Sequence, residues 1–350
     1  MSRFQVDTNY YLNPAAPGRF EGEVPHSLKG SFYRIQPDPY FPRMTEEDVY
    51  FNGDGLLSRF AFDNGKISFK QRYVETDKLK LEKAAGRALF GRYRNPLTDD
   101  PSVKGKIRGT GNTNPFVHGG KLYALKEDSP AIVMDPITLD TKGYTDFNGR
   151  MKGETFSAHP KIDPVTGNMV SFGYCSTGPL TTDCTYMEVS PEGELLKEVW
   201  FKAPYYCMMH DFGVTQDYVV FPIAPMVSSW DRLKANKPHF GFDKTLPSYR
   251  KGDGKDIRWF KAPNQNACHV FNAWNEGTKI FFDVPVSKGN GLHFFPDLDG
   301  SPFNPMEALA LPTRWTVDYA SPTEDFKKVT RLSSMGGEFP RIDDRFQSLK

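Results

Sequence analysis

Three histidines in this chain stand in similar company. His159 lies in Phe156-Ser157-Ala158-His159-Pro160, His210 in Met208-Met209-His210-Asp211-Phe212, and His269 in Ala267-Cys268-His269-Val270-Phe271. Each is placed beside strand-forming apolar residues, where an imidazole is positioned to hold something rather than fill space. The intervals are 51 residues (159 to 210) and 59 residues (210 to 269), near the length of one propeller blade. Blades stacked in succession would deliver one imidazole each to a common axis.

The composition suits such a scaffold. Among 350 residues there are 28 Phe and 16 Tyr, punctuated by 30 Gly and 28 Pro. Aromatic strands with Gly/Pro turns are the usual material of all-β sandwiches, barrels and propellers. The 44 basic and 43 acidic residues leave a net charge of +1, so no field exists to draw nucleic acid or an acidic membrane. The four cysteines, Cys175, Cys184, Cys207 and Cys268, form no C-x-x-C pair in a chain too long for a disulfide scaffold. Reduced thiols and a soluble, cytoplasmic protein are expected. No secretory h-region follows Met1, and the longest apolar run, around Tyr218 to Val227, is broken by prolines and too short to span a bilayer.

The elements that must position the histidines follow from the pattern. A first strand is expected over Ser31–Ile35. Asn52-Gly53-Asp54-Gly55 reads as a tight turn, lacking the spacing and flanking helix of a dinucleotide loop. Asp63-Asn64-Gly65-Lys66 turns again, and His118-Gly119-Gly120-Lys121 joins two strands. Thr76 to Leu89 is the clearest helical stretch. The recurring turns Asp135-Pro136-Ile137-Thr138, Asp163-Pro164-Val165-Thr166 and Ser190-Pro191-Glu192-Gly193 suit the outer hairpins of blades. Met226 to Lys255 and Ser287 to Pro312 read as long loops lidding the axis. No domain boundary interrupts residues 1–350, so a single propeller domain is expected.

A resemblance now joins these readings. Asn52-Gly53-Asp54-Gly55, Gly111-Asn112-Thr113-Asn114, His118 to Ala124, Ala158-His159-Pro160-Lys161, Met208-Met209-His210-Asp211 and Glu338-Phe339-Pro340-Arg341 occur in this order. Together they resemble the carotenoid cleavage oxygenase family, and the match covers essentially the whole chain. Tyr73 to Lys78, Leu89 to Asp100 and Lys126-Glu127-Asp128-Ser129-Pro130 look like its lignostilbene dioxygenase branch.

The resemblance implies a seven-bladed β-propeller, capped on one face by loops and short helices. It implies non-haem Fe(II) on the axis, with His159, His210 and His269 at the first three ligand positions. An all-imidazole set suits ferrous iron and leaves room for O2. Glu127 and Glu338 match carboxylates that steady the ligands from behind, and Thr113 a residue crowding an open coordination position. Tyr93 and Lys126 match a pair that binds the 4-hydroxyl of a phenolic stilbene and favours its phenolate, while Phe51 matches an aromatic that packs on the substrate ring. The implied reaction is O2-dependent scission of the central C=C into two aromatic aldehydes. An apocarotenoid-cleaving oxygenase of the same fold and a non-catalytic propeller are the alternatives. Whether the chain forms a homodimer stays open.

One feature departs from the family pattern. The fourth ligand histidine of the family lies roughly a hundred or more residues past the position of Glu338, and this chain ends at Lys350. The last blades are therefore expected to be missing. His26, His118, His239 and His293 offer no convincing replacement.

Overall fold

Four antiparallel meanders and three short ribbons follow one another along the described residues in a computed structural model, which describes residues 5–6, 23–45, 47–251 and 257–350. The first sheet joins Gly30–Asp38, Asp54–Asp63 and Lys66–Tyr73, with Gln5–Val6 added in parallel at its edge. The second runs through Asn114–His118, Lys121–Leu125, Ile132–Met134 and Thr141–Tyr144. The third comprises Lys161–Ile162, Met169–Tyr174, Asp183–Val189 and Leu195–Lys202. Two ribbons, Gly213–Val214 with Val219–Val220 and Ser248–Lys251 with Trp259–Ala262, take the place of a fourth blade. The fifth blade is Asn272–Glu276, Lys279–Val286, Leu311–Asp318 and Lys328–Arg331. The described residues thus build five blades of a β-propeller.

The core lies between blades. Leu57, Leu122, Ala124 and Ile132 fill the gap between the first and second, and Leu125, Phe156, Met169 and Met187 that between the second and third. Phe172, Phe201, Phe212 and Phe221 pack the third against the fourth, and Val220, Phe260, Phe282 and Trp315 the fourth against the fifth. A strand pressed between two neighbours loses its polar face, which is why all six residues of Met169–Tyr174 are buried.

Local chemistry explains most of the turns. Asn64 and Gly65 (φ 46° and 73°) and Gly119 and Gly120 (φ 54° and 71°) take the double left-handed conformation of two-residue hairpins. The helix spans Asp77–Ala85; the Thr76 hydroxyl accepts from the Leu79 amide at 3.1 Å, and Gly86 closes it with φ 69°.

Three expectations need correction. Asn52-Gly53-Asp54-Gly55 is not a hairpin turn: a 3-10 turn occupies Tyr50–Asn52, and the strand has already begun at Asp54. Gly55 serves a close approach instead, since a Cβ there would lie 2.5 Å from the Gly111 carbonyl oxygen. The Asp163 turn joins the first two strands of its blade, so these turns are not confined to outer hairpins. The two long loops carry structure: Met226–Val227 pairs with Gly241–Phe242 around the helix Trp230–Lys234, and a short helix spans Pro305–Ala308.

Candidate active site

Each histidine of the triad occupies an equivalent place, just ahead of the first strand of a blade: His159 before Lys161–Ile162, His210 before Gly213–Val214, His269 before Asn272–Glu276. That common address makes them converge. His159 Nε2 lies 3.0 Å from His210 Nε2, which lies 3.2 Å from His269 Nε2. Two imidazole nitrogens bound to one ion at about 2.1 Å and roughly right angles would stand about 3.0 Å apart. The spacing fits three ligands of a single first-row cation, and all three residues are partly exposed. Among the described residues no other His, Cys, Asp or Glu joins this group. His118 is committed to the Ser190 carbonyl at 2.6 Å, and His26 to Asn64.

The ring atoms turned away from the cluster are held. His210 Nδ1–H donates to Glu127 Oε2 at 2.6 Å, and His269 Nδ1–H to Glu338 Oε2 at 2.9 Å. Each bond fixes the tautomer whose Nε2 lone pair faces the cluster. Glu127 is itself braced by the Tyr174 hydroxyl (2.8 Å) and the Arg94 guanidinium (3.7 Å). Burial works against its charge, but His210, Arg94 and Tyr174 outweigh it and hold its pKa at about 2. Burial likewise opposes a proton on His210, and Glu127 overrides it, raising the pKa. His269 is pushed up to about 9: burial is outweighed by Cys268 and Glu338. His159, lacking a carboxylate partner, is driven well below its ordinary value by burial and by the two neighbouring imidazoles.

Tyr93, Lys126 and Phe51 meet in a second cluster. Lys126 is only 4% exposed; its ammonium donates to the Phe51 carbonyl at 3.0 Å and lies 5.1 Å from the Tyr93 ring centroid. The Phe51 and Tyr93 rings are 6.2 Å apart. Burial lowers the Lys126 pKa and raises that of Tyr93. Met226, Phe240, Phe242 and Phe295, from the two long loops, pack with Tyr93 and Phe51 in one apolar cluster. Chain connectivity ties it to the histidines: Tyr93 precedes Arg94, Lys126 precedes Glu127, and Arg94 and Glu127 meet behind His210.

Thr113 is exposed, and its hydroxyl donates to Asn112 Oδ1 at 3.2 Å. Its position ahead of Asn114–His118 corresponds to that of His159 in the next blade.

Several residues at this site were not singled out from the sequence. Asn112 donates to the carbonyls of Phe51 and Gly53, each at 2.7 Å, and accepts from Lys126 at 3.4 Å. Asp48 accepts from the Tyr93 amide (3.0 Å) and the Asn52 side chain (2.6 Å), joining the two segments that carry the aromatic walls. The Tyr206 hydroxyl and His239 Nε2 pair at 2.6 Å beside Tyr93. Asn112 carried a signal, its place in Gly111-Asn112-Thr113-Asn114, and His239 stood out only as a spare histidine.

Comparison with known proteins agrees. The chain is 57% identical over 334 residues to lignostilbene-alpha,beta-dioxygenase isozyme III of Sphingomonas paucimobilis, covering 93% of this chain and 68% of that protein. It is 42% identical to isoeugenol monooxygenase of Pseudomonas putida, covering 93% and 69% respectively. The crystal structure of Pseudomonas brassicacearum lignostilbene dioxygenase superposes with a TM-score of 0.89 at 43% identity, over 94% of this chain and 70% of that one. The chain therefore spans about two thirds of the length of these relatives. No helix among the described residues is long and apolar enough to cross a membrane. With the family described as Retinal pigment epithelial membrane protein (RPE65) matching residues 7–350, the chain belongs to that family, the carotenoid cleavage oxygenases.

Proposed function

We propose that the chain holds ferrous iron through His159, His210 and His269 and cleaves the C=C of 4-hydroxystilbene-type phenols with O2 to give two aromatic aldehydes. The observation that carries this reading is the convergence of three Nε2 atoms within 4.8 Å of one another, behind which Glu127 leads directly to Lys126. When bound, the iron supplies the redox chemistry that makes dioxygen reactive toward the alkene. Each aldehyde takes one oxygen atom of O2, so no external reductant is consumed.

The chain's own residues prepare the substrate. Lys126, buried and hydrogen-bonded only to neutral acceptors, favours the phenolate form of a phenol beside it. Negative charge para to the alkene raises electron density on the double bond. The Tyr93 hydroxyl, kept neutral by burial, accepts from the Arg94 guanidinium and keeps its own proton to donate to the same oxygen, while Phe51 packs on the ring. Phe240, Phe242 and Phe295, packed with Tyr93, keep water from this end of the site. The names of the relatives, a lignostilbene dioxygenase and an isoeugenol monooxygenase, support a phenolic alkene over an apocarotenoid.

Anaerobic loading with Fe(II), followed by assay on 4-hydroxystilbene and on an apocarotenal, tests the proposal. Near-stoichiometric iron, O2 uptake and aldehyde formation from the stilbene, all sensitive to Lys126→Ala, are expected. Preferential cleavage of the apocarotenal with indifference to Lys126→Ala would transfer the assignment to apocarotenoids. A protein that takes up no metal and no O2 would be a non-catalytic propeller.

A further inference from the structure

The three histidines come from loops more than fifty residues apart, and hydrogen bonds from Nδ1 to a carboxylate orient only two of their rings. Something must also fix the distances between the loops. Asp211, next in the chain to His210, is 3% exposed, and both of its carboxylate oxygens are engaged. Oδ1 pairs with the Lys161 ammonium at 2.7 Å, and Lys161 stands two residues after His159. Oδ2 accepts from the backbone N–H of Val270 at 2.8 Å, and Val270 directly follows His269. Oδ1 also accepts from the Phe212 amide at 2.8 Å, which fixes the carboxylate relative to its own backbone.

We propose that Asp211 is the positioning residue that clasps the three histidine-bearing loops at the separation a single cation requires. The inference rests on the metal-holding reading above. Asp211 is not itself a ligand, because N–H donors occupy both oxygens. Its effect is geometric: one oxygen holds the His159 arm, the other the His269 arm, and its own backbone carries His210. The Lys161–Asp211 pair is buried, so loss of the carboxylate also leaves an ammonium uncompensated two residues from His159.

The test is anaerobic titration of the metal-free chain with Co(II) and Fe(II), alongside its melting temperature, in the wild type, Asp211→Asn, Asp211→Ala, Lys161→Met and Asp54→Asn. Asp54→Asn is the control: Asp54 is equally buried and paired with Lys78 at 2.9 Å, but lies on the first blade, which bears none of the three histidines. Asp211→Asn keeps an acceptor for Val270 and should lower affinity for Co(II) about 10-fold, and Asp211→Ala about 100-fold, with Asp54→Asn within about twofold of wild type. Lys161→Met should fall on the Asp211→Asn side of the control and decides the matter if Asp211→Ala does not fold. Wild-type Co(II) affinity in a folded Asp211→Ala protein overturns the clasp. So does an equal loss in Asp54→Asn, which would mean general destabilisation. A wild-type chain that takes up neither ion fails the functional proposal itself, an outcome visible before any variant is compared.

Discussion

In the proposed function the substrate chemistry centres on the charge of Lys126. Its ammonium has two oxygen acceptors, the Phe51 carbonyl and Asn112, and neither is anionic. A bound phenolate would add an anionic acceptor to these two neutral ones. Lys126→Met is expected to lower kcat/KM for a 4-hydroxystilbene about 10- to 100-fold, the worth of one charge-assisted hydrogen bond, while sparing a stilbene without the hydroxyl. Equal losses on both substrates would assign Lys126 to folding. The pH profile provides a second check. Burial holds Lys126 below its ordinary 10.5, and the residue is competent only when protonated. Activity should therefore fall as pH rises through that lowered value, earlier than an exposed lysine would allow, and Lys126→Met should lack this alkaline limb.

Strand ends, rather than strand middles, carry the site. Glu127 leaves the strand Lys121–Leu125 of the second blade to orient His210 ahead of the fourth, and Glu338 follows Lys328–Arg331, the last strand of the blade whose first strand His269 precedes. Glu127→Gln and Glu338→Gln should each weaken metal affinity about 10- to 100-fold, measured by Co(II) titration, with the fold retained. A close backbone crossing sets a second element in place. Gly55 passes under Thr110 and Gly111, and its amide donates to the Thr110 carbonyl at 3.1 Å. Asn112, two residues on from Thr110, holds Phe51 and Lys126. A Cβ at Gly55 would stand 2.5 Å from one carbonyl oxygen and 2.7 Å from another, so Gly55→Ala should cost about 1–3 kcal/mol in denaturant unfolding. Unchanged stability would show that this crossing yields easily.

Across the whole molecule, the triad crosses the interfaces between the third, fourth and fifth blades, where the aromatic cores lie. An ion bound by one imidazole from each blade therefore links three units that otherwise meet through apolar packing. Binding to the folded state alone stabilises it by about 3–4 kcal/mol at 100 to 1,000 times the dissociation constant. Removal of the metal with a chelator should lower the melting temperature by about 5 °C or more, and Fe(II) should restore it. His159→Ala should abolish that difference between loaded and metal-free protein; a chelator effect that persists in the variant would place the ion elsewhere.

The sequence by itself determined the β class, the presence and start of the helix (expected on to Leu89, but stopped after Ala85 by Gly86), the hairpins at Asn64-Gly65 and Gly119-Gly120, and the three histidines. These are local matters: a period of two, a positive φ, a recurring interval. Pairing across blades was decided only by the tertiary structure. Asp211 reads in the chain as a polar residue beside a histidine, yet its oxygens reach Lys161, fifty residues earlier, and Val270, fifty-nine later. Asn52-Gly53-Asp54-Gly55 has the composition of a turn, but Asp54 and Gly55 lie in a strand because the backbone of another loop crosses there. His239 looks like a spare loop histidine and lies buried against Tyr206. Side-chain type and spacing report what a segment can do alone; which oxygen meets which N–H depends on how blades distant in sequence pack around an axis.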